Sequence, residues 1–166
     1  MPHHYAIVPA AGSGARFGSE VPKQYLDLNG HPLIHHALAA LCHFSRIDGV
    51  WVVLSPDDEW WSAYDWTNLG PKLHVVFCGG STRAESVANG LAAAAGALSE
   101  NDWVLVHDAA RPCLSQEMLA ALCDELAGDP VCGLLAVPVA DTLKRADSEQ
   151  RVDATEPRDG LWQAQT

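Results

Sequence analysis

The stretch Tyr5–Gly18 reads YAIVPAAGSGARFG and joins a short apolar run to a glycine-rich loop. The run Tyr5–Pro9 predicts a buried β-strand, and Gly12 and Gly14 follow it closely. Glycines after a first strand usually let backbone N–H groups come close to a phosphate. Two glycines one residue apart are weak evidence alone, so the rest of the chain must show whether a parallel sheet surrounds this loop.

Apolar runs and amphipathic stretches alternate along most of the remaining chain. Further strands are predicted at Gly49–Leu54, Leu73–Phe77, Trp103–His107 and Cys132–Val139, and helices at Pro32–Phe44, after Thr82 and after Ser115. The helix after Thr82 opens with a T-x-x-E capping box completed by Glu85, and its apolar face is predicted to carry Val87, Leu91, Ala94 and Leu98. Short connections between alternating strands and helices imply parallel strands joined by right-handed crossovers. The sequence therefore predicts an α/β fold.

Two segments depart from this alternation. Asp141–Asp159 is charged and has no sustained apolar period, so a surface loop is the simplest interpretation. A structureless loop of this length is unusual in a compact domain, which favours a segment that packs on something. Three of the six tryptophans lie in Glu59–Trp66, among acidic residues. Aromatic clusters can stack nucleic-acid bases, but the acidic neighbours favour a packing or capping role.

Composition limits the class of protein. The chain has 166 residues, 48% of them hydrophobic, which suits one compact domain. A formal net charge of −11 disfavours a nucleic-acid partner, since such proteins need a positive face. The five cysteines are odd in number and none forms a C-x-x-C pair, as in reduced cytosolic proteins. We expect no signal peptide, no membrane span and a cytoplasmic location.

Spacing excludes two common phosphate-binding motifs at the first loop. A dinucleotide fingerprint needs G-x-G-x-x-G, but Gly18 comes one residue late and no acidic residue ends the second predicted strand. A Walker loop needs Gly-Lys-Ser/Thr, which the loop lacks. There remains a phosphate-binding loop with two cations, Arg16 and Lys23, seven residues apart. They could be solvated surface charges, but in so acidic a chain we favour phosphate binding.

Two further candidate sites follow predicted strands. In His107–Pro112, Asp108 could bind a hydroxyl or a magnesium ion and Arg111 could bind a second phosphate. A simple salt bridge between these two residues is about equally plausible. The stretch Gly79–Ser86 could bind an anion at a helix N-terminus or let a flat base lie against glycine backbone, and the residues alone do not decide between these.

Six sequence strings occur in order along the chain: P-A-A-G-x-G-x-R at Pro9–Arg16, P-K-Q-Y at Pro22–Tyr25, G-G-x-x-R-x-x-S at Gly79–Ser86, V-H-D-A-A-R-P at Val106–Pro112, P-V-x-D-T-x-K-R at Pro138–Arg145 and G-L-W-x-A-Q-T at Gly160–Thr166. Taken together, these strings resemble the 2-C-methyl-D-erythritol 4-phosphate cytidylyltransferase family. The first string is shared with many sugar nucleotidyltransferases. The fourth and the last narrow the resemblance to this family and to ribitol 5-phosphate cytidylyltransferase.

The resemblance implies a single Rossmann-like nucleotidyltransferase domain over 1–166. Its mostly parallel twisted sheet would have helices on both faces, and an extended dimerisation arm would span about 139–160. The activity implied is transfer of a cytidylyl group from CTP, with Mg2+, in non-mevalonate isoprenoid biosynthesis, by a homodimer with arm exchange. Family members continue past the position of Thr166 and supply a lysine for the substrate phosphate, so the C-terminal part of the family domain is expected to be absent here.

The resemblance also implies roles for particular residues. Arg16 and Lys23 would stabilise the charge that grows on the α-phosphate, and Arg158 completes the catalytic set. CTP would be bound by Ala10, Ala11, Gly12, Gly80, Ser81, Ser86 and Asp108, and the sugar-alcohol phosphate by Asp108, Arg111, Thr142 and Arg158. Asp108 is the one protein ligand considered for a magnesium ion held mainly by the CTP phosphates. Ser81 is often acidic or amide-bearing in relatives, so its base contact would use the backbone. The alternatives are ribitol 5-phosphate cytidylyltransferase and a nucleotide-binding subunit that lacks catalysis.

Overall fold

The computed structural model describes residues 2–12 and 21–165. The chain divides into two compact units, Met1–Ala120 and Ala121–Thr166, which are treated separately below. The single-domain organisation stays a prediction. Within the described ranges, no helix has the length and apolar character needed to cross a lipid bilayer.

Strands and helices alternate in the first unit and strands dominate the second. The strands are β1 (His4–Pro9), β2 (Asp27–Leu28), β3 (His31–Pro32), β4 (Gly49–Val53), β5 (Leu73–Val76), β6 (Trp103–Val106), β7 (Ala136–Pro138), β8 (Leu143–Ala146), β9 (Val152–Glu156) and β10 (Trp162–Ala164). The helices are α1 (Leu33–Cys42), α2 (Arg83–Ala94) and α3 (Gln116–Glu125), and a 3-10 turn covers Lys23–Tyr25.

A four-stranded parallel sheet in the order β5-β4-β1-β6 forms the centre of the first unit. Ile7 of β1 lies beside Trp51 of β4 on one side and Val106 of β6 on the other. The chain proceeds outward from β1 to β4 and β5, then crosses back to place β6 on the opposite side of β1. The strand order therefore reverses between β1 and β6, which is where open α/β sheets bind ligands. The predicted parallel sheet is confirmed.

The two central strands, β1 and β4, are buried on both faces of the sheet, whereas the edge strands β5 and β6 are only partly buried. Ile7 and Val53 are fully buried on one face, where they meet helix α2. Because successive side chains point to opposite faces, the equally buried Val8 and Val52 belong to the other face. Helix α1 contacts β4 and covers that face. Helices on both faces explain why the strands read as continuous apolar runs.

The face that α2 turns to the sheet agrees with the prediction at Ala94, which is buried, and Leu98 just past the helix packs partly buried against the same core, but Leu91 does not take part. The buried residues of α2 are Ser86, Gly90 and Ala94, whereas Leu91 is 37% exposed. A Cβ atom on Gly90 would lie 2.6 Å from Cγ2 of Val53, so the glycine lets the helix approach the sheet very closely. Only small side chains fit at that distance, and the larger Leu91 is therefore turned outward.

Two β-hairpins lie where the sequence analysis predicted no strands. Asn29 and Gly30 both have positive φ, at 55° and 83°, and join β2 to β3. An Asn-Gly pair is the usual signal for this turn, and the prediction missed it. The simplest interpretation of Asp141–Asp159, a surface loop, is wrong, because the segment contains the antiparallel ribbon of β8 and β9.

The predicted strand Cys132–Val139 is largely wrong. Only Ala136–Pro138 is a strand, and it pairs antiparallel with β10. Backbone pairing extends only one residue beyond this strand at each end, where Gln165 N donates to Leu135 O and Val139 N donates to Leu161 O. Gly133 also weakens the preceding residues as a strand, since glycine has no side chain to pack and carries a high entropic cost.

The aromatic region of the first unit is a packing element, as predicted. Trp61 is 9% exposed, and its ring stacks on Trp66 with centroids 3.9 Å apart. The indole N–H of Trp66 donates to the carbonyl oxygen of Trp61 at 2.9 Å. These rings pack on one another, and Trp61 is buried in the core.

Candidate functional site

Three loops leave the carboxyl ends of the parallel strands, at one edge of the sheet. Residues 10–12 follow β1, residues 77–82 follow β5 and residues 107–112 follow β6. The central strand β4 supports the first two, because Ala10 N donates to Val53 O and Gly79 N donates to Leu54 O, each at 2.8 Å. A Cβ atom on Gly79 would lie 2.1 Å from Cβ of Ala11. Glycine at this position therefore lets the first two loops touch.

The backbone of the first loop is hydrogen-bonded by a buried glutamine, to which the sequence analysis gave no role. Gln24 is 7% exposed, and its Nε2 donates to Ala10 O at 2.8 Å and to Gly12 O at 3.1 Å. Its neighbour Lys23 begins the same 3-10 turn and is partly exposed. The turn thus connects a predicted catalytic cation to the predicted nucleotide loop. Arg16 lies outside the described residues.

The second glycine loop is shaped by Ser86. This serine is 3% exposed; its hydroxyl accepts from Gly80 N at 3.1 Å and donates to Thr82 O at 3.0 Å. Thr82 caps helix α2, its Oγ1 accepting from Glu85 N at 3.1 Å, which confirms the predicted start. The loop and the helix N-terminus are therefore one rigid element, with Gly80 fixed by a buried hydroxyl.

The capping box closes one residue earlier than its sequence suggested. Glu85 Oε2 accepts from the backbone N–H and the hydroxyl of Ser81, at 2.7 Å and 2.8 Å. The hydrogen bond from the Ser81 hydroxyl, followed by that from its backbone N–H, lowers the pKa of Glu85. Both Ser81 donors are therefore used inside the loop, so a base contact at Ser81 would have to share or replace them.

Asp108 lies between two arginines. Its Oδ1 accepts from Arg83 Nε at 2.9 Å and lies 2.8 Å from Arg83 Nη2, while its Oδ2 accepts from Arg111 Nε at 3.2 Å. The salt bridge considered for Asp108 and Arg111 is thus present. Arg83 was not predicted to take part, although it stands in the G-G-x-x-R string; its position at the first turn of α2 could have suggested it. About half of each guanidinium side chain is exposed, at 54% and 45%, so a ligand can reach both.

His107 fixes the loop that carries Asp108 and Arg111. It is 6% exposed, and its Nε2 lies 3.0 Å from Arg111 O, a carbonyl that can only accept. The ring is therefore in the tautomer that carries hydrogen on Nε2. Burial lowers the pKa of His107, outweighing the hydrogen bond to Arg111 O. A neutral histidine donor thus sets the shape of this loop.

Two of the predicted residues belong to the second unit, at the open end of the β8–β9 ribbon. Thr142 directly precedes β8, and Arg158 follows β9, with Leu143 paired to Glu156 between them. The guanidinium group of Arg158 donates to Ala140 O. Thr142 and Arg158 therefore lie at the same end of the ribbon, although the whole of β8 and β9 lies between them in the sequence.

The described residues do not form a metal cage on their own. No group of three or more His, Cys, Asp or Glu side chains in residues 2–12 and 21–165 is arranged to hold a metal ion. Asp108 is a single carboxylate at the site. One carboxylate combined with substrate phosphates is a normal magnesium environment, so this donor set fits an ion that the nucleotide carries.

A parallel α/β sheet with two glycine loops and an Asp–Arg cluster at its carboxyl edge is the architecture of a nucleotide-binding transferase. The family model for 2-C-methyl-D-erythritol 4-phosphate cytidylyltransferase matches residues 4–166. The chain belongs to this family.

Known relatives agree with this assignment. The 2-C-methyl-D-erythritol 4-phosphate cytidylyltransferase of Dechloromonas aromatica is 74% identical over 166 residues, covering 100% of this chain and 73% of the relative. That of an Azoarcus species is 64% identical, covering 99% and 70%. A crystal structure of 4-diphosphocytidyl-2C-methyl-D-erythritol synthase superposes with a TM-score of 0.85 at 40% identity, covering 100% of this chain and 73% of that one. The nucleotidyltransferase fold class is confirmed.

Proposed function

We propose that this chain transfers a cytidylyl group from CTP to 2-C-methyl-D-erythritol 4-phosphate. The products are 4-diphosphocytidyl-2-C-methyl-D-erythritol and pyrophosphate, in cytoplasmic, non-mevalonate isoprenoid biosynthesis. The observation that carries this is family membership over residues 4–166, with relatives of that name up to 74% identical. The meeting of the predicted nucleotide loops at Gly79 and Ala11 supports it.

The reaction needs no covalent protein intermediate, because the attacking group is already an anion. A phosphate oxygen of the sugar-alcohol phosphate attacks the α-phosphorus of CTP, and the bond to the pyrophosphate oxygen breaks as pyrophosphate leaves. The task of the protein is to position two polyanions that repel each other and to stabilise the charge of the transition state. We assign that stabilisation to Arg16 and Lys23.

The two substrates use different residues in this proposal. CTP lies against Ala10, Ala11, Gly12 and the loop of Gly80, Ser81 and Ser86, with Asp108 near its ribose. The sugar-alcohol phosphate is held by Arg111, Thr142 and Arg158. The exposed guanidinium groups of Arg83 and Arg111 support an anion site beside Asp108.

Magnesium accompanies CTP in this proposal, and it would supply electrostatic neutralisation of the triphosphate. Asp108 is the residue that would contact it. The carboxylate accepts from a guanidinium group on each oxygen. We expect Arg83 and Arg111 to compete with the ion for it, which favours a metal held mainly by phosphate oxygens.

We also propose that the working form is a homodimer in which arms are exchanged. The ribbon of β8 and β9 supports this, since its side chains are almost all exposed and Val152 is 67% exposed. A two-fold dimer would use the same arm twice, each completing the site of the other subunit. Thr142 and Arg158 would then act across the interface.

Pyrophosphate release tests the activity. The purified protein is incubated with CTP and magnesium, and either 2-C-methyl-D-erythritol 4-phosphate or ribitol 5-phosphate is added separately. We expect release with the first substrate. Release with ribitol 5-phosphate alone would assign the chain to the related enzyme. Tight CTP binding without release from either would identify a nucleotide-binding subunit that lacks catalysis.

A further inference from the structure

The side-chain amide of Gln24 is the best-placed buried polar group that the proposed mechanism does not use. Its Nε2 donates to the backbone carbonyl oxygens of Ala10, at 2.8 Å, and Gly12, at 3.1 Å. Both partners can only accept, so the NH2 group of the amide must face them. Each of the two amide hydrogens therefore has its own acceptor, and Gln24 is 7% exposed.

These two bonds decide which backbone groups the loop offers to a ligand. In a trans peptide the C=O and the following N–H point in opposite directions. When the carbonyl of Ala10 turns towards Gln24, the N–H of Ala11 turns away from it. A phosphate or a nucleotide is bound by N–H groups and repelled by carbonyl oxygens. Gln24 thus withdraws acceptors and leaves donors on the ligand side.

We propose that Gln24 is a positioning residue for the cytidylyl transfer: its amide holds two carbonyls of the nucleotide loop away from CTP. The inference rests on the proposed function for its kinetic consequences. It extends that function because Gln24 acts through Ala10 and Gly12 and touches no substrate itself.

The turn that carries Gln24 is itself anchored in the core. The next residue, Tyr25, is 2% exposed, and its hydroxyl donates to Asp58 Oδ2 at 2.8 Å. The Tyr25 ring stacks on that of Tyr64, with centroids 5.9 Å apart and planes 5° from parallel. This anchor keeps Gln24 inward while Lys23 at the start of the turn stays partly exposed. The loop and the predicted catalytic lysine are therefore fixed to one frame.

Three substitutions separate positioning from stability. Q24E keeps the shape of the side chain but replaces the donating NH2 by an acceptor. Q24L removes the donors without introducing a charge. Q116E is the matched control, because Gln116 Nε2 also donates to a backbone carbonyl, Ala40 O at 2.7 Å, but at an exposed position. Each protein is examined by thermal unfolding, by calorimetric titration with CTP, and by kcat and KM between pH 6 and 9.

We expect folded Q24E and Q24L to bind CTP at least about tenfold more weakly, because the carbonyl groups of the loop are no longer held away from the nucleotide. Misplacement of a group by about 1 Å can also lower the rate as much as 100-fold. The pH dependence should distinguish the two. Burial beside two carbonyl oxygens raises the pKa of the carboxyl introduced by Q24E, and its protonated form can still donate one hydrogen bond. The ratio of parent kcat/KM to that of Q24E should therefore grow as pH rises. The ratios for Q24L and Q116E should stay flat.

A purely structural role predicts something else, namely a lower unfolding temperature with the CTP affinity of the parent in the folded fraction. That result for both variants would overturn the inference, and so would unfolding of both at 25 °C. If Q24E alone is unfolded, the CTP affinity of Q24L decides. Calorimetry also separates this inference from the proposed function. If the parent protein binds CTP but shows no turnover, the proposed function is wrong, and the CTP affinities of Q24E and Q24L still test the role of Gln24.

Discussion

Asp108 accepts hydrogen bonds from two guanidinium groups, one on each carboxylate oxygen. Each guanidinium group keeps further N–H donors, so Arg83 or Arg111 can bind a phosphate beside Asp108 or exchange the carboxylate for it. If Arg111 moves to the substrate phosphate, Arg83 still compensates the charge of Asp108, so the carboxylate is not left alone. The pair is also partly exposed, and such ion pairs contribute little stability, about 0–1 kcal/mol. Exchange of partners at this position is therefore inexpensive.

Lys23 is the residue whose catalytic role is most directly testable. We expect Lys23→Ala to lower kcat about 100-fold or more, as the loss of other transition-state donors does, with a smaller effect on CTP binding. Lys72→Ala is the control, because Lys72 directly precedes β5 at the amino edge of the sheet and donates to Phe44 O. Stopped assays at saturating substrates measure both. A kcat for Lys23→Ala within about threefold of the parent would contradict the role, as only a fraction of 1 kcal/mol would be lost.

His107 predicts a dependence of stability on pH. Burial lowers its pKa from the ordinary 6.5, so the unfolded chain takes up a proton at a higher pH than the folded protein. Stability from neutral His107 is therefore present above pH 6.5 and is lost as the pH falls through the folded-state pKa. His107→Gln keeps a donor for Arg111 O but does not titrate.

Urea unfolding at several pH values between 7.5 and 5 measures this effect. The free energy of unfolding of the parent should fall as the pH is lowered, and that of His107→Gln should fall less steeply. The slope of the variant should not vanish, because burial also lowers the pKa of His35. Equal slopes for the two proteins would show that His107 does not titrate differently on folding.

At the scale of elements, the closest contact of the site is between the first two loops. Gly79→Ala would place a Cβ atom 2.1 Å from Cβ of Ala11 and 2.8 Å from Leu54 O, so the backbone of one loop must move. We expect a loss of about 1–3 kcal/mol of stability, as for other overpacked sites, together with weaker CTP binding. Gly96→Ala is the control, since nothing lies within 4 Å of the position that its Cβ atom would take. Similar unfolding temperatures and CTP affinities for the two variants would mean that the loops do not depend on this contact.

The sequence predicted elements well wherever one signal dominated. The parallel strands of the first unit are short continuous apolar runs, and Thr82 with Glu85 marked the start of α2. The buried face of α2 was predicted at Ala94 but not at Gly90, where close approach of the helix to the sheet leaves no room for a large apolar side chain. The ribbon of β8 and β9 was missed because its exposed strands carry no apolar period.

The candidate site was predictable in its loops but not in its internal contacts. The motifs placed residues 10–12, 79–86 and 107–112 at strand ends, and the structure gathers these ends at one edge. Spacing could not reveal that Gln24 reaches back to Ala10 and Gly12, since such contacts depend on how the chain turns between them. The same holds for Arg83 and Asp108, which lie 25 residues apart.

The charge of the whole molecule constrains how it meets its substrates. The net charge is −11, and both proposed substrates are polyanions. Long-range attraction therefore cannot bring them to the protein as a whole, and local positive groups must do so. Arg83 and Arg111 supply such groups at the carboxyl edge of the sheet. Salt screens the attraction between these arginines and the substrates. The affinity for the substrates should therefore fall with ionic strength only as far as a few positive side chains contribute to it.

Arm exchange between subunits gives the last prediction, a test by complementation. If Arg158 acts on the site of the partner subunit, Lys23→Ala and Arg158→Ala are each inactive but can complement in a mixed dimer. One site of that dimer carries both changes and the other carries neither. Random exchange makes about half the dimers mixed, so mixing should restore roughly a quarter of the parent activity for a symmetric dimer. Differently tagged chains confirm the exchange. Activity no higher than the sum of the separate variants, with exchange confirmed, would mean that Arg158 acts within its own chain.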